Sequence, residues 1–305
     1  MVVLGALAGY LLFGAAGALG AGAVLVNLFT PLPAAMLGMR CGPPWGLATV
    51  ALTSLAVLAT SGVAAMLLFV LQFGVPAMLL PWLLTRGVSW DRAVFVAVGL
   101  IVALGTVALL AFANSTGQSA FALVDTLVDR EISQAVTMME EFAATPEQTP
   151  AEVEAFRETV AGMGEFMRRV YPGMLVAIGG ALQLVTVGLL ALLIRPKALP
   201  GPRFAQWRAP ELLIWLLIAS GFSVAFGAGG LQTVALNLLI ILLPLYFLQG
   251  LAVIEHFLGR KRLSPLLRSV SYLLLLLVSP LPLIVTGVGL FDLWADFRKP
   301  RLNKD

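Results

Sequence analysis

Apolar residues run along this chain in blocks of 15 to 25, each closed by glycine, proline or a group of basic side chains. Blocks of about 20 apolar residues are long enough to cross the hydrocarbon core of a bilayer as helices. The pattern predicts spans over about 2–18, 20–38, 46–60, 62–85, 93–113, 171–194, 210–227 and 231–257. A last apolar stretch, 269–291, is interrupted by Ser279-Pro-Leu-Pro282 and reads as a broken, re-entrant element, with a ninth full span as the alternative. Runs such as Tyr272-Leu-Leu-Leu-Leu-Leu-Val278 do not alternate, as the strands of a membrane β-barrel must. The expected fold is all-α: a polytopic transmembrane helix bundle of about eight spans plus the broken C-terminal element.

One region departs from this pattern. Between 114 and 170, apolar residues recur three and four apart, first at Phe121, Val124, Val128, Ile132, Ala135, Met139 and Phe142, then at Val153, Phe156, Val160, Met163, Met167 and Val170. That is the signature of two amphipathic helices. Thr149, Pro150 and Glu152 supply an N-cap, a first-turn proline and a capping-box acid for the second helix. The chain thus divides into 1–113 (five spans), 114–170 (an extracytoplasmic amphipathic helical hairpin) and 171–305 (three spans, the broken element and a basic tail).

Charge orients these parts. The insert holds ten carboxylates and four arginines, a net charge of −6, while the rest of the chain carries +9. With the N-terminus in the cytoplasm, the basic loops at 40, 86–92, 195–208 and 260–268 all fall inside and the acidic insert outside, as the positive-inside rule requires. Arg168 and Arg169, at the outer end of the sixth span, run against this trend. The N-terminal block begins without basic residues and reads as a first span rather than a signal peptide. Trp45, Trp82, Trp90, Trp207 and Trp294 fall near span ends, where indole rings favour the headgroup region. The expected location is the bacterial inner membrane, and the lipid bilayer is the first partner.

Composition narrows the chemistry. With 60% hydrophobic and 11% charged residues, one cysteine (Cys41) and one histidine (His256), the chain offers no disulfide and no cysteine- or histidine-rich metal site. It contains no nucleotide-binding glycine loop, zinc-protease motif or nucleophile elbow. No enzyme activity, cofactor or nucleic-acid partner is expected, and any ATP-driven process requires a separate ATPase complex.

Polar residues within apolar segments are costly unless they face other helices or a water-filled cavity. Asn27, Gln72 and Gln183 are candidates for a ligand pocket; together with Asn237 and Gln249 they also fit a simpler role as interhelical glue. Glu255 and His256 read as an interfacial pair for Arg260 or Arg262, and Asp292 and Asp296, one helical turn apart, as a cap neutralised by Arg298, Lys299 and Arg301 at the cytoplasmic interface, to which Arg40 also belongs. Gly5, Gly9, Gly14 and Ala18 place small residues four apart along the first helix, a face for close packing or for a partner.

Three segments, Trp207-Arg-Ala-Pro-Glu211, Asn237 to Ile254 and Gly289 to Arg298, together with Pro31-Leu-Pro33 and Arg40, resemble the YybS-like family of bacterial membrane proteins. That family is distantly similar to the substrate-capturing S components of energy-coupling-factor transporters and to the rod-shape scaffold MreD, which implies a compact core of about six helices. The small-residue face of the first helix resembles the surface by which S components meet their coupling partner. Two functions follow from the resemblance: a non-enzymatic subunit that binds a small ligand and docks on other membrane subunits, or a scaffold that organises envelope or division proteins.

Overall fold

In lipid a chain without alternating polarity can satisfy its backbone only within helices. Among the described residues every regular element is helical. The computed structural model describes residues 1–18, 26–120, 122–126, 128–130, 133, 137, 150–193, 199–260 and 264–299. The elements are α1 (Val2–Ala18), α2 (Leu32–Cys41), α3 (Pro43–Phe69) continued by a π-helical turn (Val70–Gly74), α4 (Val75–Thr85), α5 (Trp90–Thr116), α6 (Pro150–Leu193), a 3-10 turn (Phe204–Gln206), α7 (Leu212–Phe226), α8 (Gly229–Arg260), α9 (Pro265–Leu277) and α10 (Leu281–Ala295). Large apolar side chains lie on the outside throughout, Phe226 at 83% exposure among them, as lipid-facing helices require. The chain forms two compact units, Met1–Ala120 with Ile178–Gly201, and Phe121–Ala177 with Pro202–Asp305. These boundaries fall elsewhere than at 113/114 and 170/171.

In the first unit, the stretch Pro43–Thr85 is 43 residues long with a mean hydropathy of 2.3 over its most apolar window. It is not one rod. Gly62 has φ 81° and ψ 180°, outside the helical region and accessible to glycine at little cost. Beyond it the chain turns back. A Cβ on Gly74 would lie 3.0 Å from Val50 Cγ1, whereas 24 residues of unbroken helix would separate the two by roughly 36 Å. The two arms therefore pair antiparallel about Gly62, at the Ser61-Gly62 junction where the sequence pattern breaks.

Helix α2 differs from the sequence expectation. The second apolar block does not run as one helix to residue 38: a turn at Leu28–Pro31 interrupts it, and Pro31 and Pro33 begin a new helix that carries Arg40 in its last turn. The residues expected to form a loop at 39–46 are helical apart from Gly42, which takes φ 106° between α2 and α3. Proline in a helix's first turn costs no hydrogen bond, so Pro31, Pro33 and Pro43 start helices here rather than bend them. Helices α2 and α3 meet almost backbone to backbone: a Cβ on Gly46 would approach the Gly38 Cα to 3.0 Å and the Ala34 carbonyl oxygen to 3.1 Å. Phe13 sets its ring edge-on to Phe69 and Phe73, at 5.4 and 6.0 Å, over a core that includes Leu32, Ala35, Val57 and Leu190. A neighbouring cluster joins Leu80 and Leu84 of α4 to Ala93 and Ala97 of α5 and Val187 of α6.

In the second unit, residues 122–126 and 128–130 are helical, and Arg168 of α6 reaches back to Asp129 at 2.8 Å. Arg169 pairs with Glu165 one turn away. The two arginines that ran against the charge pattern are thus neutralised locally. The capping residue Thr149 and the turn before it lie outside the described residues. The amphipathic stretch after Pro150 does not stop before the sixth span; the two form one helix of 44 residues, about 66 Å long. Helices α9 and α10 meet at 101° across Ser279-Pro-Leu-Pro282.

Candidate functional site

The densest polar arrangement lies where α8 crosses α10. The crossing depends on two glycines. A methyl group on Gly289 would overlap the Tyr246 carbonyl oxygen, and one on Gly250 would overlap the Val285 carbonyl oxygen. Such close approach places Gln249 and Asp292, both fully buried, against each other. The Gln249 Nε2 donates to Asp292 Oδ2 at 3.3 Å, while its Oε1 accepts from the Ala209 backbone N–H at 3.0 Å.

Arg298 completes the cluster. It follows the end of α10, where Asp296 takes a left-handed conformation and turns the chain back. Its guanidinium, 6% exposed, pairs with Asp292 at 2.5 Å and donates to the carbonyls of Ala205 and Trp207 at 3.1 and 2.9 Å. The segment from Ala205 to Ala209 is thereby tied to both helices. A buried charge pair of this kind is defended by its hydrogen bonds, and loss of one partner alone typically costs about 3–5 kcal/mol. Outside it, Asp296 binds Lys299 at 2.6 Å and Arg208. The hydrogen bond from Lys299, followed by that from Arg208, holds the Asp296 carboxyl below the usual carboxylate range. Asp292 and Asp296, expected to share a face, serve separate layers because the helix ends between them. Arg301 lies outside the described residues.

The residues that build this cluster fall mostly inside a region of recognisable ancestry. The model of the family described as "Predicted membrane protein (DUF2232)" matches residues 8–293. The chain belongs to the DUF2232 family. No curated protein and no solved structure matches it. The DUF2232 match includes Gln249 and Asp292 and ends before Asp296 and Arg298.

A second polar device in this DUF2232 protein lies at Pro172, which has no N–H to donate within α6. Asn237 of α8 fills the weak point: its Nδ2 donates to the Arg169 carbonyl at 2.6 Å and its Oδ1 accepts from the Gly173 N–H at 2.6 Å. These are the two groups an uninterrupted helix would join to each other. A Cβ on Gly173 would come within 2.8 Å of the Asn237 carbonyl oxygen, so the clasp needs glycine there.

A third device involves Glu255. Sequence spacing pointed to Arg260 or Arg262; Arg262 lies outside the described residues, and Glu255 instead meets Arg268 at 3.3 Å and the Tyr272 hydroxyl at 2.5 Å, both on α9. Helical neighbours are three or four residues apart, so Arg260, at i+5, points away. His256 packs edge-on to Phe257 at 5.6 Å, its Nε2 buried without a hydrogen-bond partner among the described residues.

The residues suggested for a ligand pocket are not brought together. Asn27 Oδ1 accepts from the Thr30 hydroxyl at 3.4 Å, Gln72 is exposed on the π-helical turn, and Gln183 is 1% exposed with its Oε1 unpaired among the described residues. Gly5 and Gly9 face Thr49 and Thr53 of α3, and the Thr53 hydroxyl donates to the Ala6 carbonyl at 3.3 Å. That stretch of α1 is therefore taken up within the chain; Gly14 has open space around it, and Ala18 is the last residue of α1. Arg40 donates to the Leu193 carbonyl at 2.8 Å and caps the C-terminal end of α6. Trp207, expected near the headgroups, is 2% exposed within the α8–α10 cluster. The backbone partners at Ala205, Trp207 and Ala209 carry no side-chain signature and could not be found from sequence.

Proposed function

We propose that this DUF2232 protein is a non-enzymatic membrane scaffold that organises envelope or division proteins and encloses no polar pocket for a water-soluble small molecule. The observation that carries this reading is where the polar side chains of the apolar helices are used. Asn237, Gln249, Glu255 and Asp292 all bond to groups of the chain itself. A ligand site requires convergent polar groups around a space of roughly 300–1,000 Å³. The enclosed space in the first unit, bounded by Gly5, Gly9, Thr30, Thr49, Thr53 and Phe73, is about 10 Å³, near the size of one water. In this reading the chain crosses the bacterial inner membrane eight times and adds the bent α9–α10 element. The N-terminus is cytoplasmic and the acidic hairpin faces outward. The antiparallel pair about Gly62 and the neutralised Arg168 and Arg169 support that topology.

A second reading, a ligand-capturing subunit served by a separate ATPase complex, draws on Gln183, whose buried Oε1 has no partner among the described residues. Purification from the native membrane in mild detergent, followed by mass spectrometry, separates the two. Recovery of division or wall-synthesis proteins is the expected result; recovery of an ATPase pair would sink the scaffold reading. For topology, a reporter fused near Gln148 registers outside the cytoplasm, and a cytoplasmic signal there overturns the orientation.

A further inference from the structure

The two arms of the hairpin about Gly62 leave an open groove of about 510 Å³ on the first unit, with Leu47 and Val50 on one wall, Gly74, Met78 and Leu79 on the other, and Trp82 at one end. Its lining is apolar along its length. From Val70 to Trp82 it follows the helix for roughly 18 Å, close to the ~15 Å depth of hydrocarbon in one leaflet. At the Trp82 end the character changes. The Arg86 guanidinium lies 4.1 Å from the centre of the Trp82 ring. Arg86 is exposed and has no carboxylate partner among the described residues. Because the arms are antiparallel, Pro43 also lines the groove at this end. An apolar slot of one-leaflet depth with a guanidinium group free of carboxylates among the described residues at its mouth is complementary to an amphiphile with one acidic head and a long alkyl tail.

We propose that this groove is a binding site for an anionic phospholipid, with an acyl chain along Leu47, Val50, Gly74 and Leu79 and the phosphate at Arg86. The bound lipid covers apolar surface that the two arms leave open. The tryptophan holds the arginine in place as a phosphate contact through its ring face. Basic pockets between membrane helices recognise acidic headgroups in this way. The site stands independently of which partner the protein organises.

The test uses the full-length chain reconstituted in vesicles of phosphatidylglycerol and phosphatidylcholine, extracted in mild detergent and weighed intact with its retained lipids. Wild-type protein keeps phosphatidylglycerol in preference to phosphatidylcholine. Arg86→Gln lowers phosphatidylglycerol retention about fivefold and leaves phosphatidylcholine unchanged. Leu79→Trp, which fills the groove, lowers retention of both; helical content and a single elution peak verify that this variant is folded, and exposed Arg86→Gln tests the headgroup contact without touching the core. Equal retention of the two lipids by wild type, or wild-type retention by both variants, overturns the proposal. So does a second copy or another protein chain occupying the groove, seen as an assembly that Leu79→Trp dissociates.

Discussion

In the first unit, Gly5 and Gly9 bring α1 onto Thr49 and Thr53, Gly38 and Gly46 bring α2 onto α3, and the remaining space is filled by Phe13, Phe69 and Phe73. In the second unit, the Gly250–Gly289 crossing is equally close, but it is fastened by Gln249, Asp292 and Arg298, and the bend at Pro172 by Asn237. Both regions use small residues for approach. They differ in what holds the helices afterwards: dispersion, a few hydroxyl-to-carbonyl bonds and the exposed Arg40–Leu193 contact in one, buried charge and amide chemistry in the other. Packing without polar locks tolerates small shifts, whereas a buried ion pair permits one arrangement only, because a displaced partner leaves an uncompensated charge.

The largest effect that would break this comparison lies at Asp292. Asp292→Ala should lower unfolding stability in detergent by about 3–5 kcal/mol, read from denaturant or thermal unfolding, because Arg298 is left buried without its carboxylate. The double variant Asp292→Asn with Arg298→Gln should recover much of the loss; if it is no better than the single variant, the pair is not what fastens the crossing. Next comes Gly289→Val, which forces α8 and α10 apart and should cost about 1–3 kcal/mol or more. Asn237→Leu should then cost about 1–2 kcal/mol, with faster hydrogen exchange at Gly173. In the first unit, Thr53→Val removes only hydroxyl bonds to Ala6 and Thr49 and should cost less than about 1 kcal/mol. A Thr53 effect as large as that at Asp292 would erase the distinction between the units.

The smallest effect is one of pH. The folded Asp296 carboxyl titrates below its unfolded value, which is about 3.9. Its contribution to stability is therefore full above that value and is lost as pH falls through the folded one. Unfolding temperature followed from pH 6 downward should fall less steeply in Asp296→Asn than in wild type. Identical slopes would mean that the contacts with Lys299 and Arg208 do not hold in solution.

Much of the helical plan was legible in the chain because apolar block length and the punctuation of Ser61-Gly62, Gly227-Ala-Gly-Gly230 and Ser279-Pro-Leu-Pro282 report local backbone preferences. The junction at Gly62 is visible for that reason. The block 20–38 read as one helix because a proline that starts a helix and one that bends it look alike in sequence; the difference is whether the N–H it lacks was needed. The opposite holds at 170/171, where the pattern reads as two helices and the chain continues as one through Pro172. The helix continues through it because a side chain 65 residues later supplies the missing bonds, and no local pattern records that. The same limit applies to the cluster at α8 and α10. Gln249 and Asp292 stood out as polar residues among apolar ones, but Gln249 is also held by the Ala209 N–H, and Arg298 by the carbonyls of Ala205 and Trp207, backbone groups that no side chain announces. Glu255 found Arg268 and Tyr272 because α9 folds beside α8, a tertiary fact.

The reversal at Gly62 has a consequence for how the chain enters the membrane. Its turn has no charged side chain, so delivering it to the far side moves almost nothing that water must solvate. The two arms can therefore be inserted as a single wedge. In the proposed topology Arg40 and Arg86, on its two flanks, lie on one side of the bilayer together, so a change of orientation must carry both or neither.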